Sequence, residues 1–316
     1  MTATAYPASP AERTRWIVEK RGPGNAVAAD VPYAFISEQE RMESGQIARV
    51  STIFLANREC PWKCLMCDLW RNTTPAPAGS IPRQIEHALS QLPAASVLKL
   101  YNSGSFFDRG AIHRSDWNDI ARLCRPFKHL VLECHPRLVG RGILEFAEMF
   151  GGQLEIAMGL ETCHPLALEK LNKRITVPDF THAAKFLRRK QIAVRTFLLV
   201  SVPFIPEEKQ EHWLQQSINT ALDTGTNVVS LIPTRAGNGA LDALQLTGEF
   251  REPTLSELEH VHDYGIRLQR GRVFADTWDI NRFSRCPLCI EARQNRLTRM
   301  NLSQSAEPRI DCSCEN

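Results

Sequence analysis

The sequence predicts an α/β fold: a partial (β/α)6 TIM-like barrel with an N-terminal extension and a small Cys-containing C-terminal extension. Three observations lead there. Apolar runs of strand length alternate with amphipathic segments between residues 50 and 232, the pattern of parallel strands joined by helical crossovers. About six such units suit a partial barrel better than the eight of a closed one. A chain of 316 residues with 43% hydrophobic content is long enough for one large α/β domain and a small appendage. The expected division is an extension at 1–47, the barrel at 48–270 and a second extension at 271–316.

In chain order, residues 11–21 are charged and free of proline, with Trp16 and Ile17 as an apolar anchor for one short helix. Arg21-Gly22-Pro23-Gly24 breaks it, and the mildly apolar run 26–35 is expected along the barrel edge. The strand candidates are 50–56, 97–101, 130–134, 154–160, 193–200 and 227–232. Between them Ser80 is expected to cap a helix with Ile81, Ile85, Leu89 and Leu92 on one face, and Ser115 a second with Trp117, Ile120 and Leu123 inward. A third helix is expected over 142–150. A fourth begins near Pro178 and buries Phe180, Ala184 and Leu187. A fifth covers 207–223 and ends before Gly225. A sixth opens with Thr254-Leu255-Ser256-Glu257, a capping box.

Chemistry on a barrel sits at the C-terminal strand ends. After the first strand comes Glu59-Cys60-Pro61-Trp62-Lys63-Cys64-Leu65-Met66-Cys67-Asp68-Leu69-Trp70. Cys60, Cys64 and Cys67 stand at C-x3-C-x2-C, so one loop presents three thiolates to one metal centre. Thiolates are the usual protein ligands of iron–sulfur clusters, and three ligands on a cube of four irons leave one iron open. The alternative is a zinc loop, although structural zinc more often uses four ligands in two pairs. After the second strand come Ser103, Gly104 and Ser105, small residues that allow close backbone approach. Glu133-Cys134-His135-Pro136 follows the third strand. Glu161 ends the fourth, with its carboxylate expected at the cavity mouth or in a structural salt bridge. Arg195 lies within the fifth strand among apolar neighbours and must find an anionic partner.

The cysteine loop resembles that of the radical S-adenosylmethionine (radical SAM) superfamily. That resemblance implies a [4Fe-4S] cluster whose open iron is chelated by S-adenosylmethionine. It also implies one-electron cleavage of the sulfonium to methionine and a 5'-deoxyadenosyl radical, which abstracts hydrogen from a substrate. In the family a Gly-Gly-Glu-like segment after the second strand holds the methionine amine. Here the wording is Asn102-Ser103-Gly104-Ser105, so the resemblance gives that role to the backbone of Ser103 and Gly104. It gives Glu161, in Gly159-Leu160-Glu161-Thr162, the adenosyl ribose or the substrate. Arg195 becomes a candidate for the S-adenosylmethionine carboxylate, with Glu161 or another protein carboxylate as its structural alternative.

Those segments, together with Val202-Pro203-Phe204, are similar to the group sharing its core with the Elongator catalytic subunit and the tRNA methylthiotransferases. That group includes the radical SAM subunit of archaeosine synthase. The resemblance covers roughly 50–233. It implies action on a modified base in tRNA, a tRNA-modifying partner protein, and an electron donor such as flavodoxin or ferredoxin. Two other readings stay open: a radical SAM enzyme acting on a small molecule or peptide, and a non-catalytic iron–sulfur or zinc protein that binds RNA.

The tail carries Cys286-Pro287-Leu288-Cys289 and Cys312-Ser313-Cys314. These two close pairs are expected to supply four ligands to a second [4Fe-4S] cluster or to zinc, the alternative being a mobile tail with exposed thiols. A net charge of +3 does not by itself mark a nucleic-acid binder. The basic segments around Lys185, Arg188, Arg189 and Lys190, and from Arg267 to Arg272, are candidates for phosphate contact or simply solvated faces. No secretory leader is read at the N-terminus, and no apolar run of about 18 residues suggests a membrane span. A reducing cytoplasm, with cysteines used for metal, is the expectation.

Overall fold

The computed structural model describes residues 5–314. Its eight strands are β1 (Ala34–Arg41), β2 (Ile47–Leu55), β3 (Val97–Asn102), β4 (His129–Glu133), β5 (Gln153–Glu161), β6 (Ala193–Val200), β7 (Val228–Pro233) and β8 (Arg272–Ala275). The helices are α1 (Pro10–Glu19), α2 (Ser80–Leu89), α3 (Trp117–Cys124), α4 (Arg141–Phe150), α5 (Pro165–Lys170), α6 (Val177–Arg189), α7 (Gln210–Asp223), α8 (Ala240–Leu246), α9 (Leu255–Arg267) and α10 (Ile290–Ser303). The strands form one sheet in chain order, parallel from β2 to β8, with β1 antiparallel to β2. The result is an open, curled half-barrel.

All six expected strands are present, and two more extend the sheet beyond both expected boundaries. β1 lies in 1–47 and β8 in 271–316. Neither reads as an apolar run. β8 has only four residues, and β1 (Ala-Phe-Ile-Ser-Glu-Gln-Glu-Arg) turns Glu38 and Glu40 inward. α10 covers the free edge of β8. Asn301 exchanges both amide hydrogen bonds with the Ala275 backbone at 2.9 Å, and Gln304 does the same with Val273 at 2.7 and 3.0 Å. Side-chain amides thus occupy the positions of a ninth strand, which leaves no bare edge there.

Helix starts follow local chemistry. The capping boxes of α6 (Thr176 with Asp179) and α9 (Thr254 with Glu257) both form. Ser80 and Ser115 are not the caps expected of them. Gly79, left-handed at φ 85°, caps α2 and donates its N–H to the Asp116 carboxylate at 2.9 Å, while Asp116 itself precedes α3. Residues 207–209 form a 3-10 turn before α7.

Alternating residues split the core into two layers. Leu98, Leu100, Leu130, Leu132, Ile156 and Leu198 face the helices and are completely buried, each such burial being worth about 1.5–3 kcal/mol. The inward face carries Val50, Val97, Val131 and Ala157 and, near the N-terminal strand ends, an ion network. There Arg195 meets Glu155 at 2.6 Å and Glu40 at 2.5 Å, and Lys99 meets Glu40 at 2.6 Å and Glu38 at 2.9 Å. Burial opposes ionisation of Glu40, but Arg195 and Lys99 outweigh it and hold the carboxyl at about 2. This network fills the floor of the half-barrel. Among the described residues no helix is long and apolar enough to cross a membrane.

Candidate active site at the C-terminal strand ends

The loop after β2 is held from three sides, and its own sequence supplies few of the clamps. The Leu65 N–H donates to Leu171 O at 2.9 Å. Asn172 Nδ2 donates to Lys63 O at 2.8 Å, and Asn238 Nδ2 to Leu65 O at 2.7 Å. Glu59 pairs with Arg21 and Lys63, both at 2.6 Å, and Trp62 lies flat on His135 with ring centroids 3.7 Å apart. Cys60 is buried, Cys64 and Cys67 are half-buried, and all three are free thiols. Burial pushes the Cys60 thiol up to about 11 and Cys67 to about 12. Without a metal they stay protonated, whereas a bound cation would favour the thiolates.

Gly104 is the second component. At φ 108° it occupies backbone space that side-chain-bearing residues rarely enter. A Cβ there would lie 2.8 Å from Cys60 Cβ and 2.9 Å from its sulfur. Beside it, the buried side-chain amide of Asn102, Ser103 Oγ and Asn57 Oδ1 have no hydrogen-bond partner among the described residues. Buried polar groups normally find one, so this cluster suits a polar group seated next to the cysteines.

The third component comes from β5. A bulge between Gly159 and Glu161, with Glu161 at φ 66°, turns the Glu161 carboxylate back over Gly159, where any side chain would collide with it. Lys173 pairs with Glu161 and also acts electrostatically on Cys64 and Glu133. Burial pushes the Glu133 carboxyl up to about 8 despite Lys173 and the Asn102 N–H.

The structure therefore brings Cys60, Cys64, Cys67, Ser103, Gly104 and Glu161 to one mouth. Arg195 is absent from it. It sits at the floor between Glu40 and Glu155, so its anionic partners are protein carboxylates and neither is Glu161. Lys173 is a further residue of the mouth, one that its charged neighbours in 168–174 give no sign of. In fact α5 ends at Lys170, and Leu171, Asn172 and Lys173 turn inward. The basic residues Lys185 to Lys190 and Arg267 to Arg272 lead directly into the first residues of β6 and β8, at the opposite end from the mouth. Arg270 is paired with Asp223, and Arg272 belongs to the floor network.

The donor set fits an iron–sulfur centre and a polar, partly anionic cofactor: three thiols on one loop, a backbone cradle against one of them, unpartnered polar atoms, and a lysine nearby.

No family model matches the chain. An uncharacterised protein of Methanocaldococcus jannaschii is 23% identical over 312 residues, 90% of this chain and 85% of its own length. Archaeosine synthase subunit beta of Thermococcus kodakarensis is 27% identical over 186 residues, 56% of this chain and 57% of that subunit. Among solved structures, Elp3 of Methanocaldococcus infernus matches 72% of this chain and 56% of its own, at 15% identity and a TM-score of 0.50. Escherichia coli coproporphyrinogen III oxidase, a radical SAM enzyme, matches 82% of this chain and 55% of its own, at 11% identity and a TM-score of 0.50. The chain thus shares the fold of these two structures, the partial barrel expected from its alternating strands and helices.

Proposed function

We propose that this chain is a radical SAM enzyme whose reaction takes place at the mouth of the half-barrel, on a modified base in tRNA. The observation that carries the chemistry is the packing of Gly104 against Cys60, which joins the three-cysteine loop to a strip of unpartnered polar groups. In this reading Cys60, Cys64 and Cys67 hold a [4Fe-4S] cluster. When bound, the cluster and S-adenosylmethionine supply an electron and a 5'-deoxyadenosyl radical able to abstract hydrogen.

The chain's own residues bind and orient. The backbone of Ser103 and Gly104 receives the methionine end, with the Asn102 side-chain amide, Ser103 Oγ and Asn57 Oδ1 available to its polar groups. Glu161 accepts hydrogen bonds from the ribose hydroxyls, and Lys173, paired with it, holds the carboxylate in place. The floor network around Arg195 closes the far end with paired charges and leaves the mouth as the way in.

The tRNA half of the proposal draws on the archaeosine synthase relative and on the rim. Trp278, just past β8, is 70% exposed, with the Arg235 guanidinium 5.2 Å from its ring centroid. An exposed indole beside a cation offers a stacking face for an unpaired base. The relative's name, a beta subunit, supports a partner protein that helps hold tRNA. A flavodoxin or ferredoxin would serve as electron donor, and a reducing compartment such as the cytoplasm would keep the thiols free for metal.

The test compares 5'-deoxyadenosine formation by reduced, reconstituted protein with and without bulk tRNA. Stimulation by tRNA is expected. Formation unaffected by tRNA would overturn the substrate and point to a small molecule.

A further inference from the structure

The tail cysteines form a group of their own beside the first turns of α9 and α10. Cys286 and Cys289 flank the turn leading into α10, and Cys289 is the residue capping that helix. Cys312 and Cys314 return to them from the far end of the tail. All four sulfurs lie within 4.8 Å of one another, with Cys286 to Cys312 at 3.8 Å and Cys289 to Cys314 at 3.4 Å. We infer that Cys286, Cys289, Cys312 and Cys314 hold one zinc ion as a tetrathiolate site, not a second iron–sulfur cluster.

The separations decide between a single ion and a four-iron cluster, and zinc is the ion that structural tetrathiolate sites take up. Four sulfurs on one tetrahedral ion with bonds of about 2.3 Å stand about 3.8 Å apart. A four-iron cube places each thiolate on a different iron, so the iron–iron separations push the sulfurs farther apart. These four are gathered too closely for that. The surroundings suit thiolates on a single cation. Cys289 stands at the N-terminus of α10, and Arg293 and Arg309 line the same recess as Cys289, Cys312 and Cys314, so cationic groups stand beside the thiols.

The tail is also placed independently of any ion. Arg296 donates to Glu307 O at 2.7 Å and Pro308 O at 2.8 Å, and Arg299 pairs with Glu307 at 2.8 Å. A zinc ion would complete this attachment and clasp the tail to the start of α10, the helix that covers the β8 edge.

The test is elemental analysis of protein made with both metals in the medium. The variant combining Cys60→Ala, Cys64→Ala and Cys67→Ala should retain about one zinc per chain and lose all iron. Combining Cys312→Ala with Cys314→Ala should remove the zinc and leave the barrel's iron. Iron in the first variant, whether about four atoms or one, or no metal at all, would overturn the site. Should the variants fail to fold, zinc-edge X-ray absorption of the unaltered protein decides. Four sulfur neighbours at about 2.3 Å support the site, and nitrogen or oxygen in the first shell overturns it. A barrel loop that takes up no iron would defeat the radical SAM reading without changing the zinc count.

Discussion

Gly104 and Cys60 touch across the mouth: a Cβ on Gly104 would stand 2.9 Å from the Cys60 sulfur, on a backbone already at φ 108°. Replacing Gly104 by alanine therefore adds both strain, on the order of 1–3 kcal/mol, and a clash directed at one of the three loop cysteines. The expected outcome for Gly104→Ala is a folded protein, by circular dichroism, whose iron content after reconstitution falls well below that of the unaltered chain. Full iron loading with undiminished cofactor cleavage would show that the contact is incidental.

Arg195 is expected to matter for stability and not for the cofactor. Arg195→Met leaves Glu40 and Glu155 buried with one cation fewer, a loss typically of about 3–5 kcal/mol. Denaturant unfolding should show that loss. The affinity for S-adenosylmethionine of the fraction that folds should stay unchanged by equilibrium dialysis.

Glu133 gives a pH signature in the cluster-free chain. Its carboxyl titrates near 4.5 when unfolded and near 8 when folded, because burial opposes its charge. Between those values the folded state holds a proton that the unfolded state has released. This contribution is complete below about pH 4.5 and is lost as pH rises through 8. Glu133→Gln mimics the neutral form and should flatten that part of the melting-temperature profile. An unchanged slope would place the titration elsewhere.

Trp278→Ala tests the rim. A stacked base is worth about 1–3 kcal/mol, so tRNA affinity should fall roughly tenfold in a filter-binding assay. Cofactor cleavage without tRNA should not change. Equal binding by the variant would remove the indole from the interface.

The sequence revealed more of the site than of the sheet's ends. Apolar runs marked the six central strands because both faces of those strands are mostly apolar. β1 and β8 escaped because their inward residues, Glu38, Glu40 and Arg272, are charges that compensate others across the floor. The same fact explains Arg195. A lone arginine in an apolar strand signals an anionic partner without saying which, and its partners are 40 and 155 residues away in the chain. The three-cysteine loop was legible because its spacing is local. Lys173 was not, since only the folded turn after α5 separates it from its solvated neighbours.

The central claim is tested most directly by reconstituting the protein anaerobically, reducing it with dithionite and measuring 5'-deoxyadenosine from S-adenosylmethionine, beside a Cys64→Ala variant. The expected result is product from the unaltered chain and none from the variant. Product from both, or none from a chain carrying its full complement of about four barrel irons, would contradict the assignment of Cys60, Cys64 and Cys67 as the centre of a radical enzyme.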